Sequence, residues 1–345
     1  MKRMLTAAAV LLLLTGCGTT ESAADPQAAQ MQSADLFAMD TYMNLKAYGS
    51  NASNALRAAE ERITELERTF SVTDAESEVW AANHAGGAPV PVSPDFTAIL
   101  DTARQVSAES SGALCISLYP LLQAWGFTTG SYQVPQNDDI AALLALADDS
   151  ALTVSDGMLS VPDSMQIDLG ALVKGYTGDA VMQVMQENDI SAAIVSLGGN
   201  VQAMGTKPDG SPWNVAITNP FDPDNSFGIV QITDQAVITS GNYERYFEDD
   251  EGKRYCHILD PADGYPAENG LVSVTVIGDS GVRCDALSTA LYVEGTEQAA
   301  AHWKRCSDFE MILVTDDGCV MVSEGIADRF QSDGTMPVEV MHREE

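Results

Sequence analysis

Asp285 and Thr289 stand four residues apart in the stretch CDALSTAL (284–291). On a helix, residues three and four apart share a face, so the carboxylate and the hydroxyl can point at one spot. Two hard oxygen donors side by side suit Mg²⁺ or Ca²⁺ rather than a soft metal. A purely structural alternative is that Asp285 caps the helix and Thr289 packs. Ser288 adds a hydroxyl to the same turn. Lys174 lies one turn into another predicted helix, an odd place for a lysine in so acidic a chain unless it faces an anion. Asp168 sits at the approach to that helix, where a capping carboxylate is also expected. Gly198-Gly199 either exposes backbone N–H groups to a phosphate or forms a tight hairpin turn. Cys256 beside His257 invites a Cys/His pair, but neighbours on a strand point to opposite faces.

The elements that must hold these residues read as follows. Leu36 to Tyr48 is a first strand. Asn54 to Phe70 is an amphipathic helix, with Leu56, Ala59, Ile63, Leu66 and Phe70 on one stripe. Ser71 to Pro91 is loop-like. Ser93 and Pro94 are an N-cap and a first helical residue, and Gly112 ends the helix they start. Trp125-Gly126-Phe127 reads as a core corner. Asp138 to Ala147 is a short helix, and Ala151 to Ile167 a hairpin around Asp156-Gly157. Ala171 to Glu187 is helical and Ala192 to Leu197 a strand. Trp213 to Leu259 is β-rich. Leu271 to Ile277 alternates as a half-buried strand does. A helix follows Gly281, a second runs from Thr296 to Arg305, and strands at 310–315 and 319–323 flank a turn at 316–318. Strands of antiparallel type with interspersed helices predict an α+β fold.

The chain has 345 residues, 45% of them hydrophobic, which is ample for a sizeable core. Its formal net charge of −33 excludes charge-driven binding of nucleic acid or anionic lipid. An anionic ligand then needs a local cation or backbone donors. Lys2 and Arg3 precede a short apolar run, Leu5 to Leu14, and Leu14-Thr15-Gly16-Cys17 follows. This reads as a lipoprotein signal over 1–16, cleaved before a lipid-modified Cys17. A flexible tether is expected over 17–35, a globular domain over 36–330 and a loosely held tail over 331–345. The expected location is the extracytoplasmic face of the cell membrane, through the lipid anchor. Five further cysteines, Cys115, Cys256, Cys284, Cys306 and Cys319, leave an odd number and no C-x-x-C motif, so they read as buried thiols.

Four stretches, in order, carry a resemblance: IDLGALVKGYTGD (167–179), IVSLGGN (194–200), HILDPADGYP (257–266) and CDALSTAL (284–291). Upstream and between them, Ser77-Glu78, Asn83, ALCISLYPLLQAWGF (113–127) and TSGNYERY (239–246) match too. Together they resemble the ApbE family, bacterial FAD:protein FMN transferases, from about Phe37 to about Val322. The resemblance implies a T-fold-like α+β architecture, antiparallel sheets with helices in two lobes.

It also implies a reaction in which the FAD pyrophosphate is cleaved, FMN moves to a Thr or Ser hydroxyl of an acceptor protein, and AMP leaves. By position, the metal ligands would be the Ala171 carbonyl, Asp285 and Thr289, with Ser288 where relatives often carry a carboxylate. The ion would be Mg²⁺, with Ca²⁺ as the alternative. Met39, Ala113, Leu114, Cys115, Asp168, Lys174 and Ile258 fall where the family contacts FAD. Cys115 replaces a usual Asp, and Thr73 a frequent Tyr that stacks on the flavin ring. His257 is the expected base, since an imidazole titrates near pH ~6.5, with Asp285 the other catalytic residue. The acceptor would carry an Asp-Gly-x-Ser/Thr-Gly-Ala-Ser/Thr motif, which Asp156-Gly157 and Asp209-Gly210 of this chain do not continue. Two other functions fit the same residues: an Mg²⁺-dependent FAD pyrophosphatase giving FMN and AMP, and a non-catalytic FAD-binding lipoprotein.

Overall fold

The structure is a computed structural model and describes residues 30–344. The signal region 1–16, the lipidation residue Cys17 and the tether up to residue 29 lie outside the described residues.

A nine-stranded sheet organises the chain. Its strands are β1 (Met31–Ala38), β2 (Thr41–Tyr48), β3 (Ala192–Leu197), β4 (Asn200–Met204), β5 (Ala236–Gly241), β6 (Leu271–Gly278), β7 (Phe309–Thr315), β8 (Val320–Ser323) and β9 (Val338–Met341). They lie side by side in chain order, antiparallel except for the β8–β9 pair. The helices that bear on the site are α1 (Ala52–Phe70), α2 (Pro94–Glu109), α3 (Val173–Glu187) and α4 (Gly281–Arg305). A smaller three-stranded sheet from 213–219, 222–232 and 330–332 packs on the other side. This is the α+β arrangement the sequence predicts.

Several elements differ from expectation for identifiable reasons. The expected first strand is a hairpin, because Met39 and Asp40 adopt φ 51° and 57° and turn the chain. The expected tether is strand from Met31 onward, where Ala34 and Leu36 pack against the α1–α3 core. The expected tail is held. Strand β9 pairs with β8, and Arg343 donates to the Trp303 carbonyl at 2.6 Å and to the Cys306 carbonyl while stacking on the Trp303 ring at 4.2 Å. The loop before α2 contains a short helix, Glu78–Asn83, whose N-cap Ser77 accepts from the Trp80 amide at 2.9 Å.

Strand β6 is buried along its whole length rather than on one face. Val274 and Val276 meet the helices, while Ile277 meets the small sheet. Covered on both sides, the strand buries its polar positions Ser273 and Thr275 as well as its valines. Each fully buried Val, Leu or Ile contributes ~1.5–3 kcal/mol, so this layer is a main source of stability. Other expectations hold. Ser93 caps α2 by accepting from the Phe96 amide at 3.2 Å. Trp125 is fully buried, with its Nε1 donating to the Gly264 carbonyl at 3.0 Å. Helix α4 breaks at Gly295 (φ 75°), so the two helices predicted around that glycine exist as two legs. The chain doubles back there: Arg283 near the start pairs with Asp308 beyond the end.

Candidate active site

Three glycines let α3, α4 and β4 approach closely. A Cβ at Gly175 would stand 2.2 Å from the Gly281 carbonyl oxygen and 2.7 Å from the Asp285 Cβ. A Cβ at Gly178 would meet the Gln202 amide at 2.5 Å, and one at Gly281 would meet it at 1.6 Å. Asp179 fastens the junction. Its carboxylate accepts from the Gly281 amide at 2.7 Å, the Val282 amide at 2.9 Å and the Gln202 Nε2 at 2.8 Å. It thereby satisfies N–H groups that the first turn of α4 leaves unpaired.

This junction places Asp285. It is 4% exposed, and its Oδ2 accepts from the Gly175 amide at 2.8 Å. Burial pushes its carboxyl up. Lys174, the Gly175 amide and the nearby Asn200 amide pull it back, and Asp179 pushes it further up. The Asn200 Nδ2 stays buried and outside hydrogen-bond geometry. Because the Gly175 amide goes to Asp285, no hydrogen bond among the described residues goes to the Ala171 carbonyl. Thr289 is half-buried one turn along α4, its Oγ1 3.4 Å from the Ser240 Oγ. Ala171, Asp285 and Thr289 thus offer a carbonyl, a carboxylate and a hydroxyl, all hard oxygens, from the facing ends of α3 and α4. An under-neutralised buried carboxylate beside a free carbonyl fits a small hard cation. Ser288 departs from expectation: its hydroxyl, fully buried, donates to the Asp285 carbonyl at 2.8 Å and pairs with the Ser240 Oγ at 2.7 Å. Both contacts of this hydroxyl brace the turn.

Two cations act on this region. Lys174, in the first turn of α3, acts electrostatically on Asp285, Glu244 and His257. Arg245 does so on Asp168, Glu244 and His257. The His257 backbone N–H donates to the Arg245 carbonyl at 3.0 Å, and its Nδ1 lies 3.2 Å from the same oxygen. That contact makes Nδ1 the protonated nitrogen and leaves Nε2 a lone pair. Lost solvation, then Arg245 and Lys174, pull the imidazole down to about 4. His257 is therefore neutral and proton-accepting near neutral pH. Cys256 points the other way, buried against the Ile258 carbonyl at 3.7 Å, as strand alternation requires.

A family model for the ApbE family matches residues 39–313. The chain belongs to the ApbE family. Among curated relatives, the FAD:protein FMN transferase of Klebsiella pneumoniae is 35% identical over 83% of this chain and 90% of its own length. That of Escherichia coli K12 is 31% identical over 90% and 91%. The ApbE protein of Thermotoga maritima superposes with a TM-score of 0.80 at 29% identity, covering 86% of this chain and 98% of that one. The flavin transferase ApbE of Vibrio cholerae does so with 0.76 at 28% identity, covering 84% and 96%.

The ApbE positions expected to contact FAD fall into two groups. Asp168 and Lys174 bring charged side chains to the cluster, Asp168 within reach of Arg245 and Lys174 within reach of Asp285. Burial pushes the Asp168 carboxyl up, while the Gly170 amide and Arg245 pull it down. Leu114 and Ile258 send their side chains into the core, with Ala113 packed against it, so they offer a ligand mainly backbone. Met39 sits in the β1–β2 turn, its amide donating to Glu67 at 2.7 Å and its sulfur 3.6 Å from the Thr177 hydroxyl. Cys115 contacts a carboxylate that sequence reasoning missed: its Sγ lies 3.5 Å from Asp149 Oδ1. Asp149 also accepts from the Ile116 amide at 2.9 Å and the Ser117 amide at 3.0 Å. Burial and Asp149 push the Cys115 thiol up to about 12, so a neutral thiol stands beside a carboxylate where the ApbE pattern has an Asp. Asn83 clamps the segment before α3, bonding the Ile167 carbonyl at 2.9 Å and its amide at 2.8 Å. Thr73 is tied to Ser71, 3.2 Å between hydroxyls, in the loop ahead of the short helix Glu78–Asn83.

Proposed function

We propose that this ApbE member transfers FMN from FAD to a Thr or Ser hydroxyl of an acceptor protein, releasing AMP. The observation that supports the reading is the Gly175 amide bond to Asp285 at 2.8 Å, which joins the turn of Lys174 to the turn of Asp285 and Thr289, with Lys174 acting on Asp285 and both Lys174 and Arg245 on His257. A pyrophosphate demands positioning and charge neutralisation more than covalent chemistry. In a chain of net charge −33, these two cations supply a local attraction for it.

The steps assigned to the protein are few. Lys174 and Arg245 hold the pyrophosphate oxygens. His257 Nε2 accepts the proton of the acceptor hydroxyl as its oxygen bonds to the phosphorus of the FMN half. The bridging P–O bond breaks, and AMP leaves with the electron pair. Binding the dianionic pyrophosphate between Lys174, Arg245 and His257 offsets the cations that depress the imidazole, raising its basicity when it is needed. Mg²⁺, or Ca²⁺ in its place, would be held by Ala171 O, Asp285 and Thr289 and would neutralise the pyrophosphate and polarise the attacked phosphorus. Glu244, next to Arg245 in the chain, has its carboxyl pushed up by lost solvation and by Asp285, while Lys174 and Arg245 pull it down.

The acceptor is proposed to carry the Asp-Gly-x-Ser/Thr-Gly-Ala-Ser/Thr motif. Leu14-Thr15-Gly16-Cys17 and the charged start before it support a lipid anchor on Cys17 and an extracytoplasmic site of action. The test mixes the protein with FAD, Mg²⁺ and an acceptor bearing that motif. Covalent flavin fluorescence on the denatured acceptor, lost with EDTA, is the expected result. Free FMN and AMP with an unlabelled acceptor would replace transfer by pyrophosphate hydrolysis.

A further inference from the structure

A second cluster, apart from the flavin site, mixes nitrogen, sulfur and oxygen donors. Glu109 ends α2, while His302 lies in the last turns of α4 and Cys306 just beyond it. One donor atom from each of the three lies within 4.8 Å of the others. The reversal at Gly295 makes this meeting possible, since it brings the end of α4 back to its start. Arg283, near that start, pairs with Glu109 at 2.9 Å and with Asp308.

His302 is 1% exposed. Its Nδ1 lies 3.0 and 3.2 Å from the two oxygens of Glu294, itself buried. A carboxylate on Nδ1 fixes the proton there and leaves Nε2 with a lone pair. That Nε2 is buried and has no hydrogen-bond partner. Buried polar atoms are paired almost without exception, so an orphaned imidazole nitrogen beside a thiol and a carboxylate calls for a ligand. A carboxylate behind the far nitrogen of a histidine is also the usual support of a metal-bound imidazole.

We propose that Glu109, His302 and Cys306 bind a divalent transition metal ion, with Zn²⁺ the best fit. Imidazole, thiolate and carboxylate together select Zn²⁺ over Mg²⁺ or Ca²⁺. The site therefore differs in chemistry from the all-oxygen set at Ala171, Asp285 and Thr289. Glu109 and Cys306 are half-buried, which gives an ion a way in and leaves a fourth position for water. Burial, Asp308 and Glu109 push the Cys306 thiol up, so metal binding releases its proton as the S–metal bond forms. The bound ion ties the end of α2 to the second leg of α4, beyond the Gly295 break.

The test titrates the chelator-stripped full chain with Co²⁺, which reports thiolate ligation by a charge-transfer band in the near ultraviolet. One equivalent should bind with that band, and Zn²⁺ should displace it. Cys306→Ser should abolish the band, and Glu294→Gln should weaken binding by ~10–100-fold. Asp285→Asn should leave band and stoichiometry unchanged, separating this site from the flavin site. Glu109→Gln, a half-buried change, should weaken Co²⁺ at least ~10-fold without unfolding the chain. No thiolate band at saturating Co²⁺, a band that survives Cys306→Ser, or unaltered affinity in Glu109→Gln would overturn the proposal.

Discussion

The Gly175 amide donates to the Asp285 carboxylate at 2.8 Å. One bond thus joins the first turn of α3, which carries Lys174, to the first turns of α4, which carry Thr289. The carboxylate is oriented by backbone, which has no rotamer to lose, and the same bond leaves the Ala171 carbonyl open. Asp285 and Lys174 are positioned by one helix junction.

Gly175→Ala should break that junction. Its Cβ would press on the Gly281 carbonyl and the Asp285 Cβ, and neither can move without shifting α4. Overpacking of this kind costs ~1–3 kcal/mol. Denaturant unfolding should show that loss, and flavin transfer should require more Mg²⁺. Unchanged stability and metal dependence would mean that the helices are not locked here.

Asp179→Ala tests the same junction from its other side. The variant removes the acceptor for the Gly281 and Val282 amides and should lower stability by ~1–2 kcal/mol, the range for a lost helix cap. Asp179→Asn, which keeps one acceptor oxygen, should recover part of it.

Asp285→Asn should separate stability from function. Burial raises the Asp285 carboxyl, so the folded state binds more protons than the unfolded state just above the ordinary carboxylate range. Stability from this group falls as pH rises through that window and stays reduced at neutral pH. Asparagine keeps the acceptor for Gly175 and removes the charge. The metal-free variant should melt about 2–4 °C above the parent at pH 7.5, the shift that ~1 kcal/mol gives in a large domain, and the gap should narrow at pH 4. Added Mg²⁺ should raise the melting temperature of the parent only, and transfer should fall at least ~100-fold.

His257→Gln should lower kcat by ~10²–10⁴-fold, the range for a lost general base. In the parent, the imidazole is held down to about 4. It stays neutral above that value, so the acid limb of kcat/KM, which reports the free enzyme, should fall well below pH 6. Between about 4 and 6.5 the unfolded chain binds more protons at this residue than the folded one. Its contribution to stability is therefore full above 6.5 and lost as pH falls toward 4. An acid limb centred near 6.5 would contradict the cationic surroundings of His257.

Much of this was legible in the sequence because it is local. Ser93-Pro94 announces a helix start, Gly295 separates two helical patterns, and the spacing of Asp285 and Thr289 puts two oxygens on one face. What the sequence hid depends on contacts distant in the chain. Met39-Asp40 turns a hairpin without the Asn-Gly signal such turns favour. Strand β6 buries its polar positions Ser273 and Thr275 only because a second sheet covers them. The C-terminal segment is held by Arg343 on Trp303 and by pairing with β8, neither visible locally. Asp149 reaches Cys115 across 34 residues, and no pattern marks that contact. Glu244, Arg245 and Ser240 lay within TSGNYERY, and Asp179 closed IDLGALVKGYTGD. Those motifs carried the signal, but only the structure shows which of their side chains act on one another. Ser288 shows the reverse: its spacing suited a ligand, and its hydroxyl is bound to Asp285 and Ser240 instead.

The most direct test of the proposed transfer counts both products in one reaction with FAD, Mg²⁺ and the acceptor. AMP is measured by chromatography and acceptor-bound flavin by fluorescence after denaturation. One AMP per flavin attached, with both lost in Asp285→Asn, is the predicted result. AMP released with matching free FMN and no labelled acceptor, or FAD recovered intact, would contradict it.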